Sequence, residues 1–255
     1  MNPLKRHEKI MEALIARQEI TVQELSELLD VTGKTVREDL DKLEQMGLLV
    51  RVHGGAILAQ GDQYGILSSQ GASGKHNAEK AEIAERALTY IQAGEIIALD
   101  GGSTILELAR RLPNQELTVI TNDLFIISEL VRRDQIRLIV PGGARVRNVL
   151  TGEESVQYVR QLNIHKAFVS ATAVHPEFGL SIYTGELTAY KKALMHAAQQ
   201  VYGMVDHYKF GHFALRTFAR CDELDGMISD SGLDRETAEI YEQAGLRMDY
   251  GQTTK

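Results

Sequence analysis

The stretch Ile20-Thr21-Val22-Gln23-Glu24-Leu25-Ser26-Glu27-Leu28-Leu29-Asp30-Val31-Thr32-Gly33-Lys34-Thr35-Val36-Arg37-Glu38-Asp39-Leu40-Asp41-Lys42-Leu43-Glu44-Gln45-Met46-Gly47-Leu48-Leu49-Val50-Arg51-Val52-His53-Gly54-Gly55-Ala56 decides the fold of the N-terminal part of this chain. Val22, Leu25, Leu28 and Leu29 recur at helical spacing, and so do Val36, Leu40 and Leu43. Asp30-Val31-Thr32 leaves room between the two runs for a turn and nothing longer. The Thr32 hydroxyl can accept one of the backbone N–H groups that open a helix, so the second helix is expected to start directly after it. Gly47 stops that helix, and Leu48 to Val52 reads as a strand leading into a hairpin. This is the layout of a winged helix-turn-helix, in which the second helix enters the DNA major groove and the wing lies against the backbone. A helical hairpin that only packs on a neighbouring domain would need neither the capped turn nor the wing.

Charge supports that placement locally, not globally. Residues 1–57 carry eight Lys/Arg against ten Asp/Glu, a net charge of −2, so a general basic patch is absent. Thr32, Gly33, Lys34, Thr35 and Arg37 lie at the start of the second helix, and Arg51 and His53 lie on the wing. Small, hydroxyl and cationic side chains of this kind reach phosphates or base edges. Glu38 follows Arg37. A carboxylate there repels phosphate, and it can accept from cytosine N4 in the groove.

The 255 residues suit one small domain and one of ordinary size. With 44% apolar and 25% charged residues, the composition is that of a soluble globular protein. The net charge of −7 gives no support to wholesale attraction to nucleic acid or membrane. Cys221 is the single cysteine, which excludes an internal disulfide and fits a reducing compartment. It reads as a packed side chain rather than a reactive thiol. No apolar run approaches the ~20 residues that span a bilayer. Met1 to Arg6 lead into an amphipathic helix carrying Leu4, Ile10, Met11, Leu14 and Ile15, not into an apolar signal segment. The expectation is a cytoplasmic protein with no membrane partner.

The expected organisation is a DNA-binding domain over 1–57, a linker over 58–76 and a larger domain over 77–255. Gly, Ser and Gln dominate the linker, as in flexible connections. Beyond it, strands are expected at Glu95–Leu99, Leu117–Ile120, Ile136–Val140, Ala167–Ser170, Val201–Val205 and Met227–Ser229. Helices are expected at Ser103–Leu112, Leu124–Val131, Thr188–Ala198 and Asp234–Ala244. This alternation predicts an α/β domain with a mainly parallel sheet covered by helices.

Ligands of open α/β sheets collect at the carboxyl ends of the strands. Small and polar clusters follow five of the predicted strands: Asp100-Gly101-Gly102-Ser103-Thr104, Thr121-Asn122, Gly142-Gly143, Ser170-Ala171-Thr172 and Asp206-His207-Tyr208-Lys209-Phe210-Gly211. The first also opens a helix. Its glycines permit close approach, its hydroxyls donate, and a helix N-terminus attracts anions. Taken singly, Gly-Gly-Ser-Thr is also a plain tight turn, and Lys209 alone reads as a surface lysine. Their convergence on one rim points to a small phosphorylated, hydroxyl-rich ligand.

These residues carry a family resemblance. Val31 to Leu43, Gly47 and the wing Arg51-Val52-His53-Gly54-Gly55-Ala56 resemble the DeoR family of bacterial sugar-operon regulators. That family usually has two adjacent arginines where this chain has Arg37-Glu38. The resemblance continues through Lys80, Leu99 to Thr104, Thr121-Asn122, Pro141-Gly142-Gly143, Gly179, Glu186 and Asp206 to Gly211, which are similar to the effector domain of the family. It implies a fold like that of ribose-5-phosphate isomerase. It also implies operator contacts by Thr32, Gly33, Lys34, Thr35, Arg37, Arg51, His53, Gly54 and Gly55. Gly102, Ser103 and Thr104 would hold the effector's phosphate, with charge from Lys209, and Lys80 and Asp100 belong to the same site. Thr121, Asn122, Gly142, Gly143 and Glu186 would line the sugar. A lysine follows Glu186 in the family, and both Lys191 and Lys192 are near enough to be its counterpart.

Aldose–ketose isomerisation needs a carboxylate base beside the carbonyl. Where the isomerases carry an acidic turn, this chain has Ser170-Ala171-Thr172-Ala173-Val174-His175. A binding site without catalysis is the better reading. The sequence contains no P-loop, no Gly-x-Gly-x-x-Gly, no nucleophile elbow and no metal-ligand spacing among its eight histidines. No cofactor, metal or catalytic residue is therefore expected. The expectation is a homo-oligomeric (dimeric or tetrameric) transcriptional regulator that represses a sugar-catabolic operon until a phosphorylated sugar binds. The alternatives are a sugar-phosphate isomerase with an appended domain and an activator of the same family.

Overall fold

The structure is a computed structural model and describes residues 3–17, 19–45, 49–58, 76–146, 148–182 and 185–251. The helix stop at Gly47, the strand start at Leu48 and the linker up to residue 75 fall outside them. Helix α1 (Pro3–Arg17) leads to strand β1 (Glu19–Thr21), α2 (Val22–Leu29), α3 (Gly33–Gln45), β2 (Leu49–Val52) and β3 (Gly55–Leu58). A reciprocal cap starts α2: Glu24 N–H donates to Thr21 Oγ1 at 3.2 Å, and Thr21 N–H donates to Glu24 Oε2 at 2.8 Å. Asp30, in the left-handed conformation at φ 52°, ends it. Thr35 N–H donates to Thr32 Oγ1 at 3.3 Å, so the expected cap of α3 is present. The three strands form an antiparallel sheet in the order β1-β3-β2.

The core of this part is Ile10, Met11, Leu14, Ile20, Leu25, Leu29, Val36, Leu40, Leu43, Leu49 and Ala56. Leu28 does not join it and is 48% exposed. With Val22, Leu25 and Leu29 already filling the inward stripe of an eight-residue helix, Leu28 falls about 100° to one side of Leu29.

The larger domain runs α4 (Asn77–Leu88), β4 (Ile96–Leu99), α5 (Ser103–Arg111), β5 (Leu117–Ile120), α6 (Leu124–Leu130), β6 (Ile136–Ile139), β7 (Ala144–Val146), β8 (Val149–Thr151), α7 (Glu153–Val159) and β9 (Ile164–Val169). It continues with β10 (Ala173–His175), β11 (Gly179–Ile182), α8 (Thr188–Ala197), β12 (Ala198–Met204), β13 (Arg216–Ala219), β14 (Gly226–Ile228), α9 (Arg235–Gln243) and β15 (Met248–Asp249). Seven strands form one sheet in the order β15-β14-β12-β9-β4-β5-β6, and every pairing in it is parallel.

Alternation along the strands divides the core between the two faces. Ile97, Leu99, Val119 and Phe168 meet α4, α5 and α6 through Ile83, Ala87, Ile105, Leu108 and Ile126. Ala98, Ile120 and Ala167 point the other way, toward Val156, Val159, Tyr190, Ala193 and Leu194 of α7 and α8. Beside these, α9 and a small antiparallel sheet in the order β10-β11-β13 cover β12 and β14. That small sheet and the β7–β8 hairpin were not anticipated. Their strands of three or four residues are too short to show alternation. Cys221 is buried, and burial pushes its thiol up. The core of the N-terminal part extends to Ala173 and Ala214, and Arg216 of β13 pairs with Glu8 of α1.

Candidate functional site

Helix α3 buries Val36, Asp39, Leu40 and Leu43 and leaves Lys34, Arg37, Glu38 and Asp41 outward. Arg6 anchors its inner side, with Nε donating to Asp39 Oδ2 at 2.7 Å and Nη2 to Oδ1 at 3.0 Å, while His7 Nε2 lies 3.0 Å from Oδ1. Burial pushes the Asp39 carboxyl up, but the hydrogen bonds from Arg6 and His7 outweigh it and hold the group below the usual carboxylate range. On the outer side, Lys34 and Arg37 are exposed, and the Thr32 and Thr35 hydroxyls lie 3.0 Å apart.

Two wing residues have partners within the chain. Arg51 pairs with Asp41 and donates to the Arg37 carbonyl at 3.3 Å, so it clamps the wing to α3 instead of projecting freely. Gly55 is buried, and a Cβ there would stand 2.4 Å from the Ile20 carbonyl oxygen. The close β1–β3 approach by itself requires a glycine there. His53 and Gly54 remain exposed at the hairpin tip.

The second constellation stands at the carboxyl edge of the large sheet. Asp100, just after β4, is 4% exposed. Its Oδ2 accepts from the Ser170 backbone N–H at 3.0 Å and from Ser170 Oγ at 3.2 Å. Lys191 of α8 also donates to Asp100 Oδ2, and it donates to the Ser170 carbonyl at 2.9 Å. The two lysines differ in place: Lys191 is buried against Asp100, and Lys192 is exposed. Above this pair the chain turns through Gly102, at φ 143°, into α5. A Cβ on Gly102 would lie 2.7 Å from Ser170 Oγ, so only glycine lets the turn settle onto β9. No side chain caps α5. Its first-turn N–H groups, with the half-buried Ser103 and the buried Thr104, form an anion-attracting end.

After β5, Thr121 and Asn122 are buried. The Asn122 amide donates to the Leu150 carbonyl at 2.8 Å. Asp123 was not singled out from the sequence, although a carboxylate just before an apolar helix is a recognisable cap. It accepts from Phe125 N–H at 2.9 Å and Ile126 N–H at 3.2 Å, and it holds the Asn148 amide of the β7–β8 hairpin. Burial outweighs those bonds, and its carboxyl is pushed up to about 6. Gly143 backs directly onto Thr151, whereas Gly142, at φ 76°, has open space where a Cβ would be.

Lys209 is buried, not a surface lysine, and lies 3.6 Å from Asp206. Lys80, also buried, sits in the first turn of α4. The ring of His76, one turn before Lys80, lies 4.0 Å from that of Tyr208. Ser231 N–H donates to Glu82 at 3.0 Å, so the first two turns of α4 are held beside the loops that follow β12 and β14. Glu186 belongs to the short turn Gly185–Leu187, and its side chain lies outside the described residues. Among the described residues, Thr104 Oγ1, Asn122 Oδ1 and the Tyr190 hydroxyl are buried without a hydrogen-bond partner. Burial, with the nearby Asp100 charge, pushes the Tyr190 hydroxyl up. Among the described residues, no group of three or more His, Cys, Asp and Glu is placed to hold a metal ion. No helix among them is long and apolar enough to cross a membrane.

Residues 6–61 match the DeoR-like helix-turn-helix domain, and residues 75–231 match the DeoR C terminal sensor domain. The chain is 31% identical to the HTH-type transcriptional regulator GolR of Listeria innocua over 249 residues, covering 96% of this chain and 98% of that one. It is 30% identical to the lactose phosphotransferase system repressor of Staphylococcus epidermidis over 246 residues, covering 95% and 97%. Among solved structures, it is similar to ribose 5-phosphate isomerase A of Methanocaldococcus jannaschii, with a TM-score of 0.38, 19% identity and coverage of 51% and 53% of the two chains.

Proposed function

This chain belongs to the DeoR family of DNA-binding transcriptional regulators, and on that premise we propose that it represses a sugar-catabolic operon and releases its operator when a phosphorylated sugar binds at the strand ends. The relatives it matches over nearly its whole length are named as regulators, not as enzymes. In this reading α3 reads the operator, and residues 77–255 bind the effector and hold protomers together. One helix-turn-helix covers one half-site, so two or more protomers act together. The protein works in the cytoplasm, where operator and sugar phosphate both are.

The observation that carries the reading is the turn from Asp100 to Thr104. An uncapped helix end with two hydroxyls favours a dianion. The Asp100–Lys191 pair beneath it and the unpartnered Asn122 carbonyl offer acceptors and donors to sugar hydroxyls. Lys209 adds charge from the β12 strand end. The effector controls DNA affinity to the extent that it prefers one arrangement of the domains over the other.

A thermal-shift screen of sugar phosphates tests the proposal, because a ligand of the native state raises the melting temperature. At least one sugar phosphate should raise it while its unphosphorylated counterpart does not. Turnover of a sugar phosphate by the purified protein would contradict the reading.

A further inference from the structure

Lys34, Glu38 and Asp41 form the outermost strip of α3, with side chains 86%, 61% and 58% exposed, opposite the buried Val36, Leu40 and Leu43. Two of the three are carboxylates. Arg51 of the wing pairs with Asp41 and so matches its charge. Glu38 lies near enough to Arg6 to feel its charge, and its one ion pair among the described residues is with Lys34, whose Nζ lies 4.0 Å away in a solvent-exposed pair of the kind that contributes little. A helix that presents such a carboxylate to DNA meets phosphate repulsion on every sequence. That repulsion is offset only where a base edge supplies a donor.

We propose that Glu38 is a specificity-determining residue and that it accepts a hydrogen bond from cytosine N4 in each half-site. This rests on the reading that α3 enters the major groove. Cytosine and adenine are the two bases that offer a major-groove amine. The adenine amine stands beside N7, an acceptor that repels the second carboxylate oxygen, whereas the cytosine edge carries no such acceptor. Lys34, one turn earlier on the same strip, is placed to donate to the O6 or N7 of a neighbouring guanine. The pair gives the helix one acceptor and one donor in register, and the acceptor does the excluding. Sequences without cytosine at that position keep the repulsion and gain nothing.

The test selects bound duplexes from a random pool with the full-length protein, Glu38→Gln and Glu38→Ala, then measures affinities at fixed salt. The wild type should enrich a C·G pair at one position of each half-site, and replacing that pair should weaken binding roughly tenfold. In Glu38→Gln the preference should move to adenine, because an amide can bond N6 and N7 together. Glu38→Ala should lose the preference and bind random duplex more tightly than the wild type, a gain that a structural role for Glu38 would not produce. If all three proteins enrich the same site with equal discrimination, the proposal is overturned while α3 keeps its place in the groove. A wild type that enriches no sequence removes both.

Discussion

Ser170 and Asp100, 70 residues apart in the chain, are joined by a 3.0 Å hydrogen bond from the Ser170 backbone N–H to Asp100 Oδ2. The bond links the ends of the adjacent central strands β9 and β4. Lys191 closes the arrangement by binding both the carboxylate and the Ser170 carbonyl. Beyond Ser170 the chain enters β10, whose Ala173 joins the core of the N-terminal part. The turn at Asp100 and the DNA-binding head therefore share one short connection.

Lys191→Met should leave the buried Asp100 carboxylate without its cation. Removing one partner of a buried pair destabilises by about 3–5 kcal/mol. Chemical denaturation should show a loss of that size, and a loss below about 1 kcal/mol would mean that the pair is solvated in solution.

Lys209→Ala should weaken effector binding and leave the DNA affinity of the free protein nearly intact. In the cell, repression would persist in the presence of the sugar. Isothermal titration separates the outcomes: if the variant binds sugar phosphate normally, or the unphosphorylated sugar binds equally well, the phosphate assignment is wrong.

Asp39→Asn should destabilise the DNA-binding domain by about 2 kcal/mol at neutral pH, because it removes charge-assisted bonds to Arg6. The folded-state carboxyl of Asp39 is held below its ordinary value. Its stabilisation is therefore complete above the unfolded value, near 4, and is lost as pH falls through the folded one. Melting curves of variant and wild type should converge as pH falls below about 4. A gap that stays constant with pH would place the effect in packing instead.

Asp123 has the opposite sign. Its folded-state carboxyl is pushed up to about 6. Its contribution is most favourable below the unfolded value and is lost as pH rises through the folded one. Between pH 4 and 7, the stability of Asp123→Asn relative to the wild type should rise by on the order of 2 kcal/mol. No change in the relative stability would show that the carboxylate is well solvated.

Much of this architecture is legible in the sequence. The cap at Thr32, the period of Val36, Leu40 and Leu43, and the apolar runs of β4, β5 and β6 are local signals, and each element formed close to its expected bounds. What escaped depends on contacts between distant residues. Leu28 has the right chemistry for the core, but the inward stripe of α2 was already filled. Arg51 has the right chemistry for phosphate, but Asp41 is within its reach. Only tertiary structure distinguishes Lys191 from Lys192, because adjacent residues on a helix face directions about 100° apart. Gly55 matches a DNA-binding wing in sequence and a close strand packing in space, and the Ile20 carbonyl accounts for it.

Coupling between sugar phosphate and DNA is the property on which regulation by this chain turns. The measurement is the anisotropy of a labelled duplex carrying the selected site, titrated with the full-length protein with and without a sugar phosphate that raises its melting temperature. The sugar phosphate should weaken binding by roughly five- to 150-fold, the range of typical coupling free energies. The unphosphorylated sugar should have no effect, and Lys209→Ala should bind the duplex normally but respond only at much higher ligand concentration. A sugar phosphate that binds the protein and leaves its affinity for the site unchanged would contradict release of the operator by effector.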